Sequence, residues 1–388
     1  MALRTVRGTP AARSPPASGD PLQDLRTEET VEERTRRRPR IADVAREAGV
    51  SKTAVSFAFN SPDRLAPETA SRIRDVADSL GYRPHPVARM LTQRSTHTVG
   101  VLTPQALSVI FSNPFFGAFS EGVALAAEQE GYALHFISPL HGSLARAMGR
   151  ATVDGVVAVG LSADHPEVEQ IRAAGLPLVM VDSSALQDLS VVDIDDVGGA
   201  RAAADHLVQL GHRDILVVGV EPPSPGAILE PEGVMGRRMR GYVMALADKG
   251  IELPPHAFVV GPASIEGGIA AMRRATEDGL RPTGVLVMSD AMAIGVLRAA
   301  REMGLRVPED VSVVGFDDID ISQHTNPPLT TVHQPIRQKG ESAVRLLLSV
   351  VERRDQRPEH IRLETRLIVR GSTGPAPRRR QEVNRVRS

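Results

Sequence analysis

The sequence predicts an all-α DNA-binding module of the helix-turn-helix type, followed by an α/β core of parallel sheets with helices on both faces. Three observations carry this. Residues 40–91 hold a series of short, capped helices around a glycine turn. From residue 97 on, short apolar β-rich runs alternate with amphipathic helical stretches, in two successive blocks. The charge is also split. The 388 residues carry a formal net charge of −1, yet residues 34–94 hold 13 Lys/Arg against 6 Asp/Glu. A basic module on an acidic body suits a protein that meets a polyanion at one end only.

Residues 1–38 are rich in Pro, Ser, Thr, Arg and Glu and poor in apolar side chains, so they are expected to be a disordered extension. Within them Arg36-Arg37-Arg38 reads either as a solvated charge run or as a flexible source of non-specific phosphate contacts. The first helix is expected over 41–48, with Val44, Ala45 and Ala48 on one face. Gly49 follows, where a turn needs a positive φ. Ser51 is a good N-cap for a second helix over 52–59. That helix buries Ala54, Val55 and Ala58 and turns Lys52, Thr53, Ser56 and Phe57 outward. The third helix starts with Pro67 and Glu68 in its first turn, carries Ile73, Val76, Ala77 and Leu80 inward, and stops at Gly81. Helix, glycine turn and second capped helix make the helix-turn-helix pattern. The alternative is an ordinary small helical domain. The DNA-binding domain is expected over 39–83, and a hinge with a short helix over 84–96.

In the first α/β block strands are expected at 98–104, 133–137, 153–159, 178–182 and 191–194, with helices through Phe119–Ala126 and over 166–174. In the second, strands at 214–218, 258–260, 284–288 and 311–316 alternate with helices over 198–210, 237–249, 268–278 and 291–303. A late helix over 335–351 and one more strand over 360–369 close the pattern. Continuous apolar strands such as Val285-Leu286-Val287 read as buried on both faces, which implies parallel sheets.

The composition excludes several classes. With no Cys there is no disulfide and no thiolate metal site. No apolar run reaches the roughly 18–20 residues of a membrane helix, and the N-terminus lacks a signal-peptide core, so a cytoplasmic (nucleoid-associated) protein without membrane contact is expected. There is no Gly-x-Ser-x-Gly elbow, Walker loop or His-Glu-x-x-His, and the 11 His are scattered. Neither a catalytic residue nor a cofactor or metal is expected.

The helical module resembles the LacI/GalR family of bacterial transcription regulators. The resemblance rests on Asp43-Val44-Ala45, Ala48-Gly49-Val50-Ser51 and Ala54-Val55-Ser56, then Gly81-Tyr82-Arg83-Pro84, Ala88 and Leu91. Further along, DVGGARAAADHLVQLGHRDI, VPEDVSVVGFDDI and PPLTTVHQP stand in the family's order, so the likeness covers about 40–372. It implies a two-lobed sensor core similar to periplasmic sugar-binding proteins. Lobe 1 would span about 97–196 and 333–352, lobe 2 about 197–330 and 358–372, and a disordered basic tail 373–388. It also implies a homodimeric, effector-responsive repressor of a pseudo-palindromic operator, with a small polar ligand, sugar-like or nucleoside-like, between the lobes. Helices such as 119–129 are expected at the dimer face, and the absence of C-terminal leucine heptads favours a dimer.

On the second helix, Lys52 can donate to guanine O6 or N7, and Thr53 can bond or pack on a thymine methyl. Phe57 stands where many relatives carry Arg. It can make only apolar contact, which implies a less common operator core; the alternative turns it inward as core. Ser51, Ser56 and Asn60 suit phosphates, which set register without reading sequence. The hinge run 86–91 is too short to be a stable helix alone. By resemblance it folds against its twin over the operator, with Leu91 as minor-groove wedge, Ala88 permitting close approach and Arg89 reaching phosphate or groove. The alternative is a plain linker.

The cleft candidates Asn113, Phe115, Phe116, Asp182, Ser289, Asp290 and Asp317 end strands or open the following loops, where ligands of parallel sheets bind. By resemblance, the Asn-Pro-Phe-Phe run supplies aromatic stacking, Arg238 of Arg-x-x-Gly-Tyr is the effector-binding arginine, and Asp290 and Asp317 are its acidic partners. Alternatively Asn113-Pro114 is a turn and Asp182 or Asp290 a helix cap. A long apolar loop at 105–112 and the Pro/Gly-rich 221–236 suggest an effector that need not be a simple hexose. Two other classes compete. A solute-binding protein would leave 40–91 unused and need a signal peptide, and a sugar-processing enzyme would need a nucleophile and base in a recognised arrangement.

Overall fold

The computed structural model describes residues 39–84, 95–183, 188–221, 233–352 and 357–378. The chain forms two compact units, 1–93 and 94–388. In the first, α1 (Ile41–Glu47), α2 (Lys52–Asn60) and α3 (Pro67–Ser79) enclose Val44, Val55, Ala58 and Ile73. Gly49 and Gly81 take φ of 64° and 66°, the left-handed conformation a side chain resists. Leu80, expected inward, is 37% exposed. The chain reverses at Gly81, Tyr82 N donates to the Ala77 carbonyl, and the Tyr82 ring closes the core edge-on against Phe59 instead.

The second unit is α/β. Its helices are α4 (Leu107–Ser112), α5 (Pro114–Gln129), α6 (Leu144–Met148), α7 (Pro166–Ala173), α8 (Asp196–Gln209), α9 (Val234–Ala247), α10 (Ile265–Glu277), α11 (Asp290–Glu302) and α12 (Ile336–Glu352). Its strands are β1 (Thr98–Leu102), β2 (Ala133–Ile137), β3 (Gly155–Val159), β4 (Leu178–Val181), β5 (Ser190–Ile194), β6 (Ile215–Val220), β7 (Phe258–Gly261), β8 (Gly284–Val287), β9 (Ser312–Asp317), β10 (Thr330–His333), β11 (His360–Leu363) and β12 (Arg366–Ile368). One sheet runs β11-β5-β4-β3-β1-β2, all parallel. The other runs β12-β10-β9-β8-β6-β7, parallel except for β12 against β10. Four apolar clusters fill the two faces of the two sheets. α5 and α12 cover one face of lobe 1 and α6 and α7 the other; α8 and α9 cover one face of lobe 2 and α10 and α11 the other.

Helices approach closely where glycine permits. A Cβ on Gly122 of α5 would strike the Arg337 carbonyl at the start of α12, and one on Gly340 would meet Phe119 O. Close packing of small residues makes a dense core possible with 3% aromatic residues.

Four expectations need correction. The single strand over 360–369 is two strands in different lobes. β11 pairs in register with β5, His360 opposite Val191, while β12 pairs with β10. Residues 360–363 therefore belong to lobe 1, and the chain crosses between lobes near 364–365. The loop over 105–112 contains α4, which buries Ile110. Thr330–His333 is a strand the pattern did not announce. Finally, the tail is ordered as far as 378. Gly374 N donates to Ser312 Oγ, Ala376 N donates to Leu210 O, and His206 Nε2 lies 2.9 Å from Thr373 Oγ1. Those bonds fasten the Thr-Gly-Pro-Ala start of the tail, which composition alone marks as loose. The extension before residue 39 and the hinge run 86–91 lie outside the described residues.

The lobes are joined by three crossings, β5 to α8, β10 to α12 and β11 to β12. Leu363 O accepts from Asp195 N, and Thr365 Oγ1 donates to Asp195 O, so two crossings are bonded together.

Candidate nucleic-acid interface and ligand cleft

Helix α2 starts at Ser51, whose Oγ accepts from Ala54 N at 3.1 Å. Val55 and Ala58 face the core, which leaves Ser51, Lys52 and Thr53 exposed at the N-terminal end. Ser56, Phe57 and Asn60 are half-buried further along, and Asn60 Nδ2 donates to Ser56 Oγ at 3.3 Å. The helix therefore brings all six candidate residues onto one element. Phe57 stays outside the apolar core, and the Arg64 guanidinium lies 4.4 Å from its ring centroid. Ala88, Arg89 and Leu91 lie outside the described residues.

Between the lobes, the strand ends carry a continuous polar chain. Asp182, at the end of β4, takes a left-handed φ of 56°. Its Oδ1 accepts from Lys339 Nζ at 2.7 Å. Lys339, on α12, is fully buried and also donates to Gln334 Oε1 at 2.6 Å. Gln334 sits on the β10–α12 crossing and donates from Nε2 to Asp317 Oδ1 at 2.6 Å. Arg238 Nη1 lies 3.8 Å from the same oxygen and donates to Met288 O, while its Nε donates to Asp196 Oδ1 at 2.9 Å. The Arg238 guanidinium also sits 3.6 Å above the Phe316 ring. Arg237 holds the other oxygen of Asp196 from Nε and Nη2, at 3.0 and 2.8 Å. The links Lys339–Asp182, Lys339–Gln334 and Gln334–Asp317 are charge-assisted hydrogen bonds, and Arg238 meets Asp317 as an ion pair.

Burial shapes the charge here. It pushes the Asp317 carboxyl up to about 7, against the pull of Arg238, and nearby Asp290 adds to the rise. Asp290 is raised by burial too, although three donors hold its carboxylate: Ser322 Oγ, Thr331 Oγ1 and Ile319 N. Arg238 would be lowered by burial, but Asp196 and then Asp317 hold it charged. Asp317 adopts φ 128° and Asp318 φ 61°, so the Gly-Phe-Asp-Asp turn holds its carboxylates in a backbone shape that side-chain residues resist.

The structure divides the cleft candidates. Asp182, Arg238 and Asp317 meet in the polar chain. Phe115 and Phe116 lie edge-to-face at 5.3 Å, with Lys339 Nζ 5.4 Å from the Phe115 centroid. Asn113 is the N-cap of α5, its Oδ1 accepting from Phe115 N. Ser289 caps α11 through Met292 N. Asp290 is not the N-cap: it is the first residue of α11, wholly buried, and both its oxygens serve β10 and the turn after β9. Sequence reading missed Asp196, Arg237, Gln334 and Lys339. Of these only Lys339 carried a signal, as a lone cation on the stripe of α12 that also bears Ile336, Ala343 and Leu347. Beside the chain lies an open hollow of about 700 Å³, bordered by Pro114, Glu121, Asp318, His333, Gln334 and Arg337. It shares Gln334 with the polar chain but contains neither Arg238, Asp317 nor Asp182. The buried charges converge elsewhere, around Asp196, Arg238 and Asp317. Among the described residues no group of His, Asp or Glu is arranged to hold a metal ion, and no helix is long and apolar enough to cross a membrane.

Comparison with known proteins gives the same two parts. Residues 40–85 match the pattern of bacterial regulatory proteins of the lacI family, and residues 204–373 match the periplasmic binding protein-like domain. The HTH-type transcriptional regulator CelR of Thermobifida fusca is 33% identical over 344 residues, covering 87% of this chain and 99% of that protein. A solved CelR–cellobiose complex aligns with a TM-score of 0.64 at 32% identity, over 86% of this chain and all of the other. The lac repressor dimer bound to operator and the anti-inducer ONPF aligns with a TM-score of 0.72 at 25% identity, over 87% of this chain and all of the other.

Proposed function

The chain belongs to the lacI family of bacterial regulatory proteins, and from that membership and the cleft geometry we propose an effector-responsive repressor that binds a pseudo-palindromic operator as a homodimer. As a transcription regulator it needs no catalytic group, and it works in the cytoplasm on DNA. The observation that carries the effector half is the buried chain from Asp182 through Lys339, Gln334 and Asp317 to Arg238, which runs from one lobe to the other through a crossing. Its cations and carboxylates alternate, so it offers donors and acceptors without a large excess of either charge. That suits a neutral ligand with several hydroxyls or ring nitrogens, of which sugars and nucleosides are the two natural classes. Relatives bound to cellobiose and to ONPF support a ring of this kind. Arg238 and Asp317 hydrogen-bond the ligand, Phe115 and Phe116 pack on its ring, and Asp182 and Asn113 complete the lobe 1 side. Ser289 and Asp290 hold the frame.

Mechanistically, a ligand that bonds both lobes favours one lobe orientation over another. It can shift operator affinity only by its difference in affinity for the two. The hinge run 86–91 transmits the change, with Leu91 wedging the operator centre, Arg89 on phosphate and Ala88 permitting close approach. Lys52 and Thr53 read base edges, and Ser51, Ser56 and Asn60 set register on phosphates. Exposed Leu125 on α5 suits the dimer face.

The test is selection of DNA from a random pool at physiological salt, with and without a panel of sugars and nucleosides. A two-fold symmetric site whose recovery changes with one class of ligand supports the reading. A symmetric site indifferent to every polar ring compound, together with no thermal shift by any of them, removes the effector half.

A further inference from the structure

We propose that Asp154 is a positioning residue for operator binding, whose carboxylate fixes the root of the hinge on lobe 1. The proposal rests on the reading of residues 84–96 as a hinge and adds what holds its near end. Asp154 stands just before β3, and its N donates to Thr98 O at 2.9 Å, which sets it beside the start of β1. Its side chain then takes donors from three consecutive residues. Oδ2 accepts from Ser95 Oγ at 2.5 Å and from His97 N at 2.8 Å, and Oδ1 accepts from Thr96 N at 2.6 Å. Ser95 and Thr96 are the last hinge residues by sequence, and His97 is the first of the core. The boundary between the two compact units falls between 93 and 94, directly before them.

Three facts favour a clamp over an incidental contact. Successive backbone N–H groups that converge on one point make a small anion-binding nest, and here the chain supplies the anion itself from 57 to 59 positions further on. His97 takes a φ of 47°, in the left-handed region that a residue with a side chain keeps only where its surroundings hold it. On its far side His97 O accepts from Ala133 N at 2.8 Å, and the His97 ring lies 5.3 Å from that of Tyr132. Burial alone would raise the Asp154 carboxyl, but the hydrogen bonds from Ser95, Thr96 and His97 outweigh it and hold the carboxyl below its ordinary range. The grip is therefore made of charge-assisted hydrogen bonds. A hinge helix too short to stand alone must be ordered on the operator, and two of them must arrive there at one spacing. A fixed root removes the freedom of three residues from that ordering. Without the clamp the hinge starts from a looser, longer tether, which binds more weakly and tolerates more spacings.

The test compares the full wild-type chain with Asp154→Ala, Asp154→Asn and Ser95→Ala. Each is titrated with the operator that wild type selects from random DNA, and with the same operator carrying one added base pair at its centre. Asp154→Ala should weaken binding to the selected operator by about 10-fold and shrink the penalty for the added base pair. The bases preferred in each half-site and the salt slope should stay as in wild type, since Asp154 touches neither base nor phosphate. Asp154→Asn, which keeps one accepting oxygen, should lose less, and Ser95→Ala less again. Adding Ser95→Ala to Asp154→Ala should cost nothing further. A purely structural role would lower the melting temperature of the core and leave the spacing penalty as in wild type; that result overturns the proposal. Wild-type affinity together with a wild-type spacing penalty in Asp154→Ala also overturns it and leaves the hinge standing. If Asp154→Ala does not fold, Asp154→Asn and Ser95→Ala carry the same readouts. A wild type that selects no symmetric operator, or that is indifferent to the added base pair, overturns the hinge reading and the proposal together.

Discussion

Asp317 shows how one residue's surroundings set its chemistry. Folded, burial holds its carboxyl at about 7; unfolded, it returns to the ordinary range near 4. Between those values the unfolded chain ionises and the fold does not, so this group makes the fold less stable as pH rises from about 4 to about 7. Asp290, raised by burial in the same way, acts in the same direction. Asp317→Asn should flatten the fall of melting temperature across that window; an unchanged slope in calorimetry would show the carboxyl already ionised at pH 5. Asp317 was legible in the sequence as a strand-end acid, and the structure places it in the chain. Asp290 was equally legible by motif and turns out to face inward. A motif records that a carboxylate is needed, while the direction it faces depends on Ser322 and Thr331, which lie 32 and 41 residues away in sequence.

At the scale of elements, α2 and α12 show what local pattern reports well and poorly. The cap at Ser51, the glycine turn and the buried Val55 and Ala58 were all readable, because capping and helical period are short-range. Ser51→Ala should cost the module about 1 kcal/mol, measured by denaturant unfolding, through loss of the Ala54 N partner. Helix α12 announced its apolar face but not the task of the lysine on it. Breaking a buried pair by removing one partner costs about 3–5 kcal/mol, whereas replacing both with apolar groups is often neutral. Lys339→Met should therefore destabilise the core by an amount of that order, and adding Asp182→Leu should recover most of it. Additive losses in the double variant would mean that the two residues act separately. Strand β11 and strand β12 were read as one because their residues run on without a turn signal; only pairing with β5 and β10 separates them.

For the whole molecule, the proposed function is a coupling between two units, each recognisable separately in the sequence. The hinge is where that coupling is tested. Leu91→Ala should weaken operator binding several-fold while leaving ligand binding to the core intact, read by titrating each in turn. A loss of both would mean that the substitution damages the core, and a loss of neither that residues 84–96 are a plain linker. The ligand class belongs to this scale as well, since in the proposed function both lobes bond one molecule.

The sequence by itself determined the helical module, the succession of strands and helices in two blocks, the family and the residues at the strand ends. All of these are written in periods, caps and short motifs, which need only near neighbours to be read. Tertiary structure alone decided that Lys339 meets Asp182 across 157 positions, that Asp196 takes both Arg237 and Arg238, that residues 360–363 belong with lobe 1, and that Arg64 rests on Phe57. The reason is physical. A buried charge must find its partner wherever the chain crossings happen to bring one, and no local pattern encodes where three crossings will place two distant side chains.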